Sequence, residues 1–131
     1  MAADHTAPGR MRRLTATVLA CWGVTGESEW EMRGIVSELV TNSVVHSGSP
    51  DVSLTLTMSG NILAVTVRDT GRWKRPRRPD PLGGLRGRGL LLVREQATRS
   101  GVHRSARGTS AWAERLVPTQ DQLLRRRETA C

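Results

Sequence analysis

Residues 51–71 read D-V-S-L-T-L-T-M-S-G-N-I-L-A-V-T-V-R-D-T-G, and this stretch decides the fold. Over residues 51–58, Val52, Leu54, Leu56 and Met58 alternate with Ser53, Thr55 and Thr57. Side chains along a strand point to opposite faces in turn, so this pattern predicts a half-buried strand. Ser59-Gly60-Asn61 has turn chemistry, and residues 62–68 read as the returning strand of an antiparallel hairpin. Asp69-Thr70-Gly71 breaks that strand.

Upstream, the period changes from two to that of a helix. A helix is expected from residue 27 or 28 to residue 46, with Met32, Ile35, Val36 and Leu39 as its buried stripe. Ser28 with Glu31 has capping-box spacing. Ser47-Gly48-Ser49-Pro50 stops the helix. An earlier helix is expected over residues 9–21, with Met11, Leu14, Val18 and Cys21 on one face and Gly23 and Gly26 ending it. Residues 1–8 are expected to be disordered or to form at most a short strand.

Downstream, residues 72–88 form a loop punctuated by Pro76, Pro79, Pro81 and Gly83-Gly84. A third helix is expected to begin near Gly89 and to run through Leu90, Leu91, Val93 and Ala97 to a Gly101 cap. Residues 102–105 and 109–116 read as a second hairpin across Ala106-Arg107-Gly108. Residues 118–131 form a polar, basic tail. The order helix, helix, hairpin, helix, hairpin predicts a two-layer α/β (α+β) sandwich, with helices on one face of a largely antiparallel sheet. The expected division is a short segment at 1–7, one domain at 8–117 and the tail at 118–131.

At 131 residues the chain suits one domain with a real core. Phe and Tyr are absent, so Leu, Val, Ile, Met and Ala must build that core with some of the four Trp. The net charge of +8 comes almost wholly from arginine, since Lys74 is the sole lysine, and it suits an anionic partner. Cys21 and Cys131 are expected to make neither a disulfide framework nor a metal site. No apolar run approaches the roughly 20 residues of a membrane span, and no signal-peptide pattern opens the chain. A cytoplasmic location is therefore expected.

Four places could carry chemistry. Glu38, Asn42 and His46 are spaced i, i+4, i+8, and this polar row borders the apolar stripe of Ile35 and Leu39. A partly desolvated carboxylate and amide need a partner. An Asn oxygen can ligate Mg²⁺, and a Glu can take a proton; alone, the row also reads as a solvated helix flank. Asp69 at a strand end could accept a hydrogen bond from an exocyclic amine such as that of adenine, or make an ordinary Asx turn. Gly87 and Gly89, opening a helix, leave N–H groups for an anion, and Arg86 and Arg88 add charge-assisted donors. The Thr109 hydroxyl after Gly108 could reach a base edge. The arginines of residues 72–88 also suit nucleic-acid phosphates, a less favoured reading. No G-x-x-x-x-G-K-[ST] sequence is present, so this is not a P-loop.

The order of these signals says more than any one of them. S-E-L-V-T-N-S-V-V-H at 37–46, V-T-V-R-D-T-G at 65–71, G-R-G-L-L-L-V at 87–93 and G-T-S-A-W-A-E at 108–114 resemble the GHKL (histidine kinase-like) ATPase superfamily. Within it, the chain looks like the small anti-sigma-factor serine/threonine kinases. The resemblance runs from about residue 8 to 116. It implies a Bergerat-type fold with a mixed, mostly antiparallel sheet, and ATP with Mg²⁺ as cofactors. By position, Glu38 matches the general base and Asn42 the Mg²⁺ ligand. Asp69 matches the adenine-binding acid, and Gly71, Gly87 and Gly89 the nucleotide-loop glycines. Thr109 matches the threonine near the base, and residues 72–88 the lid, with Arg86 and Arg88 beside the phosphates. Implied partners are a sigma factor, an anti-anti-sigma (STAS-type) protein and a second copy of the chain. An ATP-binding interaction module without kinase activity is the alternative. Three departures stand out: Trp73 replaces a second glycine, the lid is rich in Arg and Pro, and little precedes residue 8 where relatives carry an edge strand.

Overall fold

A computed structural model describes residues 1–71, 93 and 96–117. Helix α1 (Ala7–Cys21) starts two residues before the expected 9–21, with Pro8 in its first turn, where a missing N–H costs nothing. The Asp4 carboxylate accepts from the hydroxyl and the amide of Thr6, and these bonds hold its pKa below the ordinary value. Gly23 ends α1 with left-handed backbone (φ 71°). Its N–H bonds to the Ala20 carbonyl and that of Val24 to the Leu19 carbonyl, so two otherwise orphaned carbonyls are paired.

The buried stripe of α1 is Ala7, Met11, Thr15 and Leu19; of the expected Met11, Leu14, Val18 and Cys21, only Met11 is buried. The reason is the partner. α1 packs on helix α2 (Gly26–His46), and the i, i+4 row 7, 11, 15, 19 faces it. Buried Thr15 is tolerated because its hydroxyl donates to the Met11 carbonyl (2.8 Å). Leu14 is 51% exposed and, with Val18 and Trp22, borders a groove whose other wall is formed by Val52, Leu54 and Leu56.

α2 begins at Gly26, so Ser28 lies inside the helix and buried rather than capping it. The capping-box expectation is overturned. Glu31 instead pairs with Arg115 across the interface to the sheet, and Arg115 also donates to the Gln96 carbonyl (2.7 Å). A cation that must be held in a half-buried place claims the carboxylate more strongly than a first-turn amide that water can serve. Met32, Ile35, Val36 and Leu39 are buried as expected, joined by Val40.

The strands are β1 (Val52–Ser59), β2 (Ile62–Asp69), β3 (Arg99–Ser105) and β4 (Gly108–Leu116), in the order β1-β2-β4-β3. Every pairing in this sheet is antiparallel. β1 and β2 join through Gly60-Asn61, with Ser59 opposite Ile62. The inner face carries Leu63, Val65 and Val67 from β2, and Ala111 and Ala113 from β4, under α2. Full burial of each larger aliphatic side chain contributes roughly 1.5–3 kcal/mol. The short alanines on β4 leave room for the longer side chains of α2. The result is the expected two-layer sandwich of the Bergerat type.

One expectation about the ends of these elements changes. Gly101 is not a helix cap but lies within β3. A Cβ there would meet the Trp112 ring at 2.9 Å, so glycine lets the indole lie across the neighbouring strand. Val93 and Gln96 are helical, and the Ala97 N–H bonds to the Val93 carbonyl (2.8 Å), in line with the third helix; its other residues lie outside those described. At the other end of the chain, Met1 and Val52 exchange hydrogen bonds and the Ala3 N–H donates to the Pro50 carbonyl. A short paired segment thus runs along the start of β1. Among the described residues, no helix is long and apolar enough to cross a membrane.

Candidate functional site

The second half of α2 carries the row Glu38, Asn42, His46. Glu38 and His46 are half-buried, and Asn42 is only 8% exposed. The row does border the core. The Asn42 Nδ2 is buried without a hydrogen-bond partner. Leaving such an amide unpaired costs about 1–3 kcal/mol, a cost a bound ligand can offset.

The next residue, Ser43, is fully buried and donates from its hydroxyl to Asp69 Oδ2 (2.6 Å). Asp69 closes β2. Its Oδ1 accepts from the Gly71 N–H (3.0 Å), so the Asx-turn reading holds alongside the longer-range contact. The Gly71 carbonyl accepts from the Thr109 hydroxyl (3.1 Å), and Thr109 lies directly opposite Asp69 on β4. One chain of bonds therefore links α2, β2, the turn after it and β4.

Two glycines allow this closure. A Cβ on Gly71 would lie 1.8 Å from the Ser47 carbonyl oxygen. A Cβ on Gly108, whose φ is 138°, would lie 2.0 Å from the Asp69 carbonyl oxygen. The D-T-G and G-T motifs are thus sequence traces of backbones in contact. Ser49 completes the rim: its hydroxyl accepts from the Thr70 N–H (3.1 Å) and donates to the Asp51 carbonyl (2.6 Å).

Of the residues singled out from sequence, Asp69, Gly71 and Thr109 come together; Asn42 directly precedes Ser43, which bonds Asp69, and Glu38 sits one helical turn before Asn42. The Thr109 hydroxyl donates to Gly71 and not outward, and Thr109 is 2% exposed. Arg86, Gly87, Arg88 and Gly89 lie outside the described residues, as does the loop 72–88. Sequence reasoning passed over Ser43, Ser47 and Ser49. A serine in a helix interior beside an asparagine was the available signal for Ser43, since both are weak helix formers. Ser47 and Ser49 read only as a helix stop.

Among the described residues, no group of three or more His, Cys, Asp or Glu could hold a metal. Mg²⁺ does not need such a cage: it takes one or two protein oxygens and fills its octahedron with water and phosphate. A single asparagine such as Asn42, 8% exposed, fits that demand.

The family model of the histidine kinase-like ATPase domain matches residues 1–114, and the chain belongs to that family. In structure it is similar to the RsbU and RsbW domains of Rv1364c from Mycobacterium tuberculosis, with a TM-score of 0.68 and 18% identity. That match covers 88% of this chain and 30% of the other. It is also similar to the histidine kinase domain of the Erythrobacter litoralis EL346 blue-light activated histidine kinase (TM-score 0.56, 26% identity, 89% of this chain and 62% of that one). A further structure of that kinase gives a TM-score of 0.57 at 25% identity, over 86% and 42%. This chain therefore spans less than two thirds of each of these proteins. No curated protein sequence matches it.

Proposed function

We propose that the chain binds ATP with Mg²⁺ and transfers the γ-phosphoryl group to a serine or threonine hydroxyl of a partner protein. The observation that carries the binding half is the buried, unpartnered Asn42 amide next to the closed cluster Ser43–Asp69–Gly71–Thr109. Asn42 would hold the metal by its amide oxygen, and Asp69 would accept from the adenine amine. Gly71 and Thr109 shape the wall behind Asp69. Arg86, Gly87, Arg88 and Gly89 would face the phosphates. Bound Mg²⁺ would neutralise and orient phosphate oxygens.

Such catalysis is largely positioning and charge neutralisation. Glu38 would take the acceptor hydroxyl's proton as that oxygen bonds to the γ-phosphorus and ADP leaves with the electrons of the broken bond. The working unit is residues 8–117, with 118–131 as a basic tail. A sigma factor and a STAS-type anti-anti-sigma protein are the partners that the anti-sigma kinase likeness suggests.

The test is a titration with a fluorescent ATP analogue, with and without Mg²⁺, on wild type and Asn42→Ala. Wild type should bind, and Asn42→Ala should lose the Mg²⁺-dependent part; a wild type that does not bind sinks the reading. Glu38→Ala should keep binding and lose radiolabel transfer to a cognate substrate. Binding without transfer in the wild type would leave an ATP-dependent interaction module in place of a kinase.

A further inference from the structure

We infer that Cys21 and Cys131 form a redox clasp, and that this clasp holds residues 118–131 over the apolar groove between α1 and β1. The inference does not depend on the ATP reading. Cys21 closes α1 and is disulfide-bonded, so the expectation that the cysteines form no disulfide does not hold for it. No described cysteine is free. The sequence contains two cysteines, and the other is Cys131. The bond therefore ties the basic tail to the end of α1. The reach is ample. Val117 is fixed beside the β1–β2 turn, where its N–H bonds to the Asn61 carbonyl (2.8 Å). The stretch from residue 118 to Cys131 can span about 45 Å when extended, more than the width of a domain of this size.

The end of α1 is also the rim of the groove. Trp22 follows Cys21 and lines the groove with Leu14, Val18, Val52, Leu54 and Leu56. Leu14 is 51% exposed, and β1 is an edge strand, so the groove opens outward. The tail carries one pair of leucines, Leu123-Leu124, followed by Arg125-Arg126-Arg127. Anchored at Val117 and at Cys21, the leucines stay at high effective concentration beside the groove. Their burial there is favourable, while the arginine heads remain in water. In a compartment kept reducing by thiols, a disulfide of this kind is transient and redox-sensing. Cys21 is half-buried, so an attacking thiolate can reach its sulfur. A dithiol reductant breaks the Sγ–Sγ bond through a mixed disulfide, which its second thiol resolves. The reductant leaves as its own disulfide, two electrons pass to the protein, and Cys21 and Cys131 each gain a proton as thiols. The tail then loses its second anchor and uncovers the groove.

The experiment uses the full chain, oxidised in air or reduced with dithiothreitol. Peptide mapping by mass spectrometry should find the Cys21 and Cys131 peptides joined in the oxidised protein. Iodoacetamide should label neither cysteine before reduction and both after it. Labelling of Cys21 without reductant, or a disulfide joining two chains, overturns the clasp. Amide hydrogen exchange over residues 52–58 then reads the groove. Reduction should speed that exchange by about fivefold or more, and Cys131→Ser should match the reduced protein. The double variant Leu123→Ser, Leu124→Ser should speed it as much in the oxidised protein, with the disulfide intact. Equal exchange in all of these forms overturns the seating of the tail on the groove. Exchange over residues 35–40 of α2 should not move; a rise there as well would mean general loosening and overturns the local device.

Discussion

The two ends of the β2–β4 pair differ in a way that reverses simple hydropathy. At one end Asp69 lies opposite Thr109, and the two are 8% and 2% exposed. At the other end Ile62 lies opposite Leu116, and the two are 38% and 51% exposed. The polar pair is inside and the apolar pair outside. Strand alternation explains the faces, because positions 62 and 69 have opposite parity and α2 covers only one side. Hydrogen bonding explains why the polar pair can stay buried. Asp69 and Thr109 have partners in Ser43 and Gly71, so their desolvation is largely offset. An exposed Ile–Leu pair needs no such compensation. A domain can leave apolar contact outside at one end of a strand pair and concentrate buried polar order at the other.

Three substitutions probe that contrast. The largest effect should come from Gly71→Ala. The new methyl cannot coexist with the Ser47 carbonyl, so the turn must separate from α2 and release Asp69 and Thr109 with it. We expect a stability loss of about 3 kcal/mol or more, read from the urea midpoint at unchanged slope. Asp69→Ala should come next, at about 2 kcal/mol, because it strands the buried Ser43 hydroxyl and the Gly71 N–H. A loss under about 0.5 kcal/mol would mean that water enters and serves those donors, and the buried end would then be less sealed than its exposures imply. Ile62→Thr should do least, changing stability by no more than about 0.5 kcal/mol in the same assay. A larger loss there would show that the exposed end is covered in solution, which gel filtration against concentration would test.

Much of this was legible in the amino-acid pattern. The alternation of residues 51–58 marked β1 to within one residue, and the stripe Met32, Ile35, Val36, Leu39 was read correctly as the buried face of α2. Local rules failed where a distant partner decided the outcome. Glu31 looked like half of a capping box until Arg115, on the face of β4 that meets α2, claimed it. Gly101 looked like a helix cap because glycine signals several conformations equally well, and only Trp112 across the strand says which is used. The face of α1 was right at Met11 but one position off at Thr15 and Leu19, because periodicity shows that a stripe exists but not which neighbour it meets. In the site, Asn42, Asp69, Gly71 and Thr109 carried motif signals. Ser43 carried almost none, since its role depends wholly on the position of Asp69.

The sequence by itself determined the order of elements, the sandwich they form and the membership of a nucleotide-handling family, because periodicity and motif order are properties of the chain read in one dimension. Only the tertiary structure decided which polar groups are buried together. The 26-residue separation of Ser43 from Asp69 and the 38-residue separation of Thr109 from Gly71 put those contacts beyond any local rule. Hydrogen bonds act over about 3 Å and are specific in direction, so their partners exist only once helix and sheet have packed.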